Sequence, residues 1–187
     1  MRHPKRSITR AIRTRKPRHP GREPEELAAQ TWPESLRVTD RMIPAPTTIR
    51  WDAPVAEAWK LMRTQKIRHL PVLDGAGRLV GIVTDRDLRQ VILDPSLQER
   101  LGRGIISALE SLRVRDIMTW GVITVSPERE IREAARLMHR EKIGALPVLK
   151  NGKIVGILTE ADVVKAFAEV LEQGVVSRAY RWAFTAP

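Results

Sequence analysis

At 187 residues, 42% of them hydrophobic, the chain holds enough apolar material to bury the core of one domain or of two small ones. Lys and Arg outnumber Asp and Glu by 33 to 22, a net charge of +11, yet nine of the cations and no acid lie in residues 1–22, which leaves 24 against 22 for the rest. The absence of cysteine excludes disulfides, thiolate metal sites and cysteine nucleophiles, and with no apolar leader and no run of 18 apolar residues the expectation is an intracellular, cytoplasmic protein with no membrane partner.

Residues 1–35 open with "MRHPKRSITRAIRTRKPRHPGREPEE". Like charge, three prolines ahead of the acidic patch at Glu23 and few apolar side chains cannot offset the entropy of ordering, so a disordered basic tail is expected. The same composition suits a transit peptide, or an arm that touches phosphates without regard to sequence, and those readings stay open.

From residue 36 the chain is written twice. "VTDRM" at 38–42 aligns with "VRDIM" at 114–118, and the copies stay in phase at an offset of 76 through Thr48/Thr124, Ala58/Ala134, Met62/Met138 and "LPVL" at 70–73 and 146–149. One residue is lost where "DGAG" at 74–77 meets "KNG" at 150–152, and at an offset of 75 "GIVTDRDL" at 81–88 returns as "GILTEADV" at 156–163. A single-residue slip confined to a turn is what duplicated structure tolerates. The expected organisation is a first repeat at 36–95, a connector at 96–113 and a second repeat at 114–172. Ile105, Leu109 and Leu112 give the connector helical spacing. An aromatic C-terminal tail at 173–187, with Tyr180, Trp182 and Phe184, packs on the domain or on a second subunit.

Each repeat reads as β-α-β-β-α. "TTI" at 47–49 and "VITV" at 122–125 are short strands, and Asp52 with Pro54, or Ser126 with Pro127, are helix-start signals. Val55, Ala58, Trp59 and Met62 fall at i, i+3, i+4, i+7, as do Ile131, Ala134, Ala135 and Met138. That spacing gives each helix one apolar face. "LPVL" followed by "LVGIV" or "IVGIL" predicts a hairpin, closed in the second copy by Asn151-Gly152, a pair that accepts the positive φ of a tight turn. A last helix starts near Thr84 and near Thr159. One unit leaves apolar surface exposed and two together bury it, so the fold class expected is α/β (α+β), two pseudo-twofold-related repeats packed sheet to sheet.

Thr84-Asp85-Arg86-Asp87 and Thr159-Glu160-Ala161-Asp162 admit two readings. In one, the threonine caps a helix and the aspartate at N3 reciprocates, an arrangement worth roughly 1 kcal/mol. In the other, the helix start offers N–H groups and a positive dipole end to a phosphate. The hydroxyl then binds a phosphate oxygen and the carboxylate takes both hydroxyls of a ribose.

The "V-x-D-x-M" opening, the "LPV" strand and the "G-h-h-T-x-x-D-h" close, where h is hydrophobic, occur twice in the same order. Over residues 36–171 the chain closely resembles a tandem pair of CBS (cystathionine-β-synthase-type) domains, the Bateman module, and its long connector resembles that of small stand-alone CBS-pair proteins. The resemblance implies a disc-like module with two clefts between the paired sheets, binding adenine nucleotides or other adenosyl compounds, and a homodimer. Carried over position by position, Thr84 and Thr159 fall where the family contacts phosphate, and Asp87 and Asp162 where it holds the ribose. Thr48 and Thr124 fall where it lines the base pocket, with Arg68, His69, Leu70 and Pro71 in the first copy and Gly144, Ala145, Leu146 and Pro147 in the second. The copies differ at Arg68-His69 against Gly144-Ala145; the former pair either adds donors for phosphate or stands exposed beside its strand. Trp120, near the same pocket, either stacks on the base or packs on the protein.

Other signals are set aside. "GAGRLVG" at 75–81 has the wrong spacing for a dinucleotide fingerprint and sits in a hairpin, and His3, His19, His69 and His139 are scattered rather than paired at zinc spacing. Met42, Met62, Met118 and Met138 recur at equivalent positions, as core or cleft packing does. The expected function is non-enzymatic: a regulatory module that needs no cofactor, takes AMP or ATP as regulatory ligand, and signals to an unidentified regulated protein or to its own dimer. The rival is a nucleic-acid-associated regulatory protein that uses the basic arm. An enzyme is disfavoured, because no acid, base and nucleophile can be assembled.

Overall fold

A computed structural model describes residues 36–94 and 109–184, with side chains as far as residue 172. The first repeat contributes strands β1 (Ile43–Pro44), β2 (Ile49–Arg50), β3 (His69–Leu73) and β4 (Leu79–Thr84), with helices α1 (Val55–Gln65) and α2 (Asp85–Leu93). The second contributes β5 (Thr119–Trp120), α3 (Ile131–Glu141), β6 (Ala145–Lys150), β7 (Lys153–Thr159) and α4 (Glu160–Phe184). The class is mixed α/β, as expected. The apolar faces of α1 and α3 form as their spacing predicts: Val55, Ala58 and Met62, and Ile131, Ala134 and Met138, are buried. Both hairpins form, and Asn151 and Gly152 adopt φ of 53° and 74° at the turn.

Pairing between strands does not follow the repeat boundaries. One sheet has the order β2-β3-β4-β5 and the other β1-β7-β6, so each repeat's opening strand completes the sheet of the other copy. Backbone bonds fix the exchange. Val38 N–H donates to Arg129 C=O at 2.8 Å and Thr39 N–H to Pro127 C=O at 2.9 Å, while Val114 N–H donates to Ala53 C=O and Arg115 N–H to Trp51 C=O, both at 2.9 Å. Each V-x-D turn is closed by its own aspartate, Asp40 or Asp116, whose Oδ2 accepts the N–H of Arg37 or Arg113 at 2.8 Å. Strands of two residues rarely persist alone; here burial of the adjacent Val38 and Val114 in the opposite cores holds them.

Two expectations about element ends are corrected. Helix α3 starts at Ile131 rather than at Ser126-Pro127, because residues 126–130 form a turn whose carbonyls receive Val38 and Thr39. Asp52 likewise does not cap α1, which begins at Val55 after Pro54; its carboxylate instead pairs with Arg50. The strand expected at 122–125 contracts to a parallel bridge between Val125 and Val148, and Pro127, lacking an N–H, cannot extend the ladder.

Two cores lie under the sheets. The first joins Val55, Leu70, Val72, Val83 and Leu88 to Leu109, Val114 and Met118, and the second joins Val125, Met138, Leu146, Val148 and Leu158 to Val38. A third cluster, Ile82 with Ala145 and Ile157, packs strand β4 of one sheet against β6 and β7 of the other. Met42, Met62, Met118 and Met138 all pack into these cores, as their recurrence suggested. The basic tail and most of the connector lie outside the described residues; 109–111 are helical. Helix α4 continues through Phe184, where a separate tail was expected from 173, since its 25 residues include no proline and one glycine. Among the described residues no helix is long and apolar enough to cross a membrane.

Candidate functional site

The repeated phrase forms two matching strand-to-helix junctions. At the first, the Thr84 hydroxyl and N–H both donate to Asp87 Oδ2, at 2.7 and 2.8 Å, and the Asp87 N–H donates to Thr84 Oγ1 at 3.3 Å. At the second, Thr159 donates to Asp162 Oδ2 from its hydroxyl at 2.6 Å and its N–H at 2.8 Å, and the Asp162 N–H returns a bond of 3.4 Å. The capping reading is therefore realised in both copies. It does not exhaust the carboxylates: Oδ1 of each makes no hydrogen bond among the described residues. All four side chains are half-buried, so they are held in place and still reachable.

The glycine that opens each phrase has a separate cause. A Cβ on Gly81 would stand 2.6 Å from Met118 Sδ and 2.9 Å from the Thr119 carbonyl oxygen, and one on Gly156 would collide with Met42 Sδ and come within 3.2 Å of the Ile43 carbonyl. The methionine of each V-x-D-x-M opening thus lies across the glycine of the other repeat's close. Two motifs that look independent in the sequence are halves of one reciprocal contact.

Arg68 and His69 join the first junction. His69 is the register partner of Thr84, and the Arg68 carbonyl accepts the Asp85 N–H at 3.1 Å. Ala145 pairs with Thr159, and the Gly144 carbonyl accepts the Glu160 N–H at 3.0 Å, the same arrangement in the second copy. The two junctions meet at His69. A Cβ on Gly144 would lie 3.3 Å from its Nε2 and 3.6 Å from Glu160 Oε2, so the imidazole of one repeat leans against the strand start of the other. Burial lowers the His69 pKa, opposed by the carboxylates of Asp85, Glu160 and Asp87 and assisted by Arg68.

The remaining candidates divide. Thr48 precedes β2, whose Ile49 pairs with Val72, so it runs beside Pro71; Thr124 precedes Val125, whose N–H donates to Pro147 C=O at 3.1 Å. Pro71, Ala145 and Pro147 are buried, and Leu70 and Leu146 belong to the two hydrophobic cores beneath the sheets. Thr48 also lines a cavity of about 380 Å³ with Ile49, Arg50, Asp52, Ala53, Glu57 and Leu73, at the far end of β3 from His69; neither Thr84 nor Asp87 borders it. Trp120 is 53% exposed and meets Trp51 edge to face with centroids 6.1 Å apart, so it packs on protein while keeping a free side. Sequence reasoning missed the cross-repeat glycine–methionine contact and the approach of His69 to Glu160. The recurrence of Met42 at Met118 and of Gly81 at Gly156 in the two copies was the available signal for the first; nothing signalled the second.

The CBS domain family matches residues 38–94 and 114–169. A CBS domain-containing protein of Dictyostelium discoideum is 36% identical over 126 residues, 67% of this chain and 86% of that protein. The chain is also 32% identical over 133 residues to the homoserine O-acetyltransferase of Methanohalobium evestigatum, of which it spans 24%. Among solved structures, CBSX2 in complex with AMP is 32% identical with a TM-score of 0.58, covering 72% of this chain and 98% of that one. The CBS domain pair of protein MJ0100, in complex with 5-methylthioadenosine and S-adenosyl-L-methionine, is 28% identical with a TM-score of 0.59, covering 71% and 96%.

Proposed function

Because the chain belongs to the CBS domain family, as two tandem copies, we propose that it is a non-catalytic regulatory module that binds an adenine nucleotide, AMP or ATP, or a related adenosyl compound. The observation that carries the proposal is the pair of Thr–Asp junctions, intact in both copies and meeting at His69. Each junction offers a carboxylate with one uncommitted oxygen for a ribose. It also offers a threonine hydroxyl at a helix start, where N–H groups and the helix dipole favour a phosphate. That phosphate competes with the aspartate for the hydroxyl proton, so ligand binding and capping are linked. The solved CBS pairs that hold AMP, 5-methylthioadenosine or S-adenosyl-L-methionine support this ligand class. Signalling follows if the ligand binds one arrangement of the two repeats better than another, passing the difference to a partner protein or to a second copy in the cytoplasm.

Isothermal titration of AMP and of 5′-methylthioadenosine into wild type, Asp87→Ala and Asp162→Ala tests the proposal. Each substitution is expected to weaken binding at its own junction by about 1.5–3 kcal/mol, the worth of hydrogen bonds to a charged group, against roughly 1 kcal/mol of folding stability from the lost cap. Deleting residues 1–35 is expected to leave that affinity unchanged, whereas contacts of a basic arm with phosphates would vanish with the deletion and fade steeply with salt. Unaltered affinity in both aspartate variants would leave the junctions as caps and nothing more.

A further inference from the structure

The two junctions are built alike in backbone and unlike in charge. The first carries Arg68, Arg86 and Arg89 within its segments, with Arg89 paired to Asp85. Their counterparts in the second copy are Gly144, Ala161 and Val164, and the histidine at 69 is matched by Ala145. Lys165 is the one cation the second copy has in its first two helical turns, where the first copy has Gln90. The first junction therefore carries three arginines, one of them paired to Asp85, against two aspartates, and the second carries one lysine against Glu160 and Asp162.

Packing holds this difference in place. His69 Nε2 lies 3.3 Å from where a Gly144 Cβ would sit, and Glu160 Oε2 lies 3.6 Å from the same point. A side chain at 144 would therefore press on the imidazole, so a cation regained there requires His69 to give by a few tenths of an ångström. Gly144 thus accommodates His69 across the repeats.

Resting on the adenosyl-ligand reading above, we infer that the junctions are selective for different ligands: the first, with Arg68 and His69, takes a phosphate-bearing adenosine nucleotide, and the second, at Gly144 and Glu160, takes an adenosyl compound without phosphate, neutral or cationic at its 5′ group. A phosphate dianion at the second junction would meet two carboxylates with one lysine to balance them, while a neutral or cationic 5′ substituent meets no such opposition. The attraction at the first is partly solvated, so it weakens with salt.

Titrations of AMP and of 5′-methylthioadenosine into the full chain, wild type and variants, test this. Arg68→Ala is expected to weaken AMP about tenfold and leave methylthioadenosine unchanged. Asp87→Ala is expected to weaken AMP about ten- to a hundredfold and to spare methylthioadenosine, and Asp162→Ala to do the reverse. Raising salt from 50 to 500 mM lowers AMP affinity only. Circular dichroism melts identify any variant that fails to fold, and for such a variant Asp87→Asn or Asp162→Asn is titrated in its place. If both ligands bind and each aspartate variant weakens both equally, the inference is overturned while the adenosyl-ligand reading stands. If neither ligand binds wild type, both are overturned.

Discussion

Ala45 and Gly121 occupy the same place in the two repeats, after β1 and β5, and both adopt a positive φ, 45° and 65°. A glycine takes that conformation without penalty; an alanine brings its Cβ against the following carbonyl. The Ala45 N–H donates to the Val155 carbonyl at 3.1 Å, so the strained residue is held by the sheet it crosses into. Ala45→Gly is expected to raise stability by about 0.5 kcal/mol, relief of strain outweighing the added freedom of the unfolded chain, as read from urea midpoints. A drop in midpoint would mean that the unfolded-state entropy dominates. Only the aligned second copy, with its glycine, hinted at this in the sequence.

Among the elements, the exchange of opening strands decides which substitutions couple. At Gly156 an added Cβ meets mainly the flexible Met42 side chain, whereas at Gly81 it also meets the fixed Thr119 carbonyl oxygen at 2.9 Å. Gly156→Ala is expected to cost about 1–3 kcal/mol, the usual range for overpacking, and to be largely rescued by Met42→Ala. Gly81→Ala is expected to cost at least as much and to gain little from Met118→Ala. Chemical denaturation of the four single and two double variants reads the difference. Equal rescue at both glycines would refute the close backbone approach at Thr119.

At the scale of the molecule, His69 sits where the two repeats meet, and the ordinary pKa of an imidazole lies where pH commonly varies. Burial holds its pKa below the ordinary 6.5, against the pull of Asp85, Glu160 and Asp87 and together with the push of Arg68. Since the folded value is depressed, above pH 6.5 neither state is protonated and nothing is lost. As pH falls below 6.5 the unfolded chain takes up the proton first, and stability declines until pH reaches the folded value. Wild type is therefore expected to lose more stability than His69→Gln between pH 7 and pH 5, measured by urea denaturation at each pH. The same loss in both would place the imidazole in solvent.

Much of this arrangement was legible in the chain alone. The duplication, the helix faces from Val55 to Met62 and from Ile131 to Met138, the Asn151-Gly152 turn and the threonine–aspartate caps all follow from periodicity and local backbone chemistry, which act within a few residues. The tertiary structure decided what depends on contacts between distant residues. It set which sheet receives each opening strand, why Gly81 and Gly156 cannot carry a side chain, and where residues 126–130 delay α3. It also showed that His69 of the first copy rests against Gly144 of the second. Local rules position an imidazole on its strand, but only the folded chain brings another repeat's glycine and glutamate to face it.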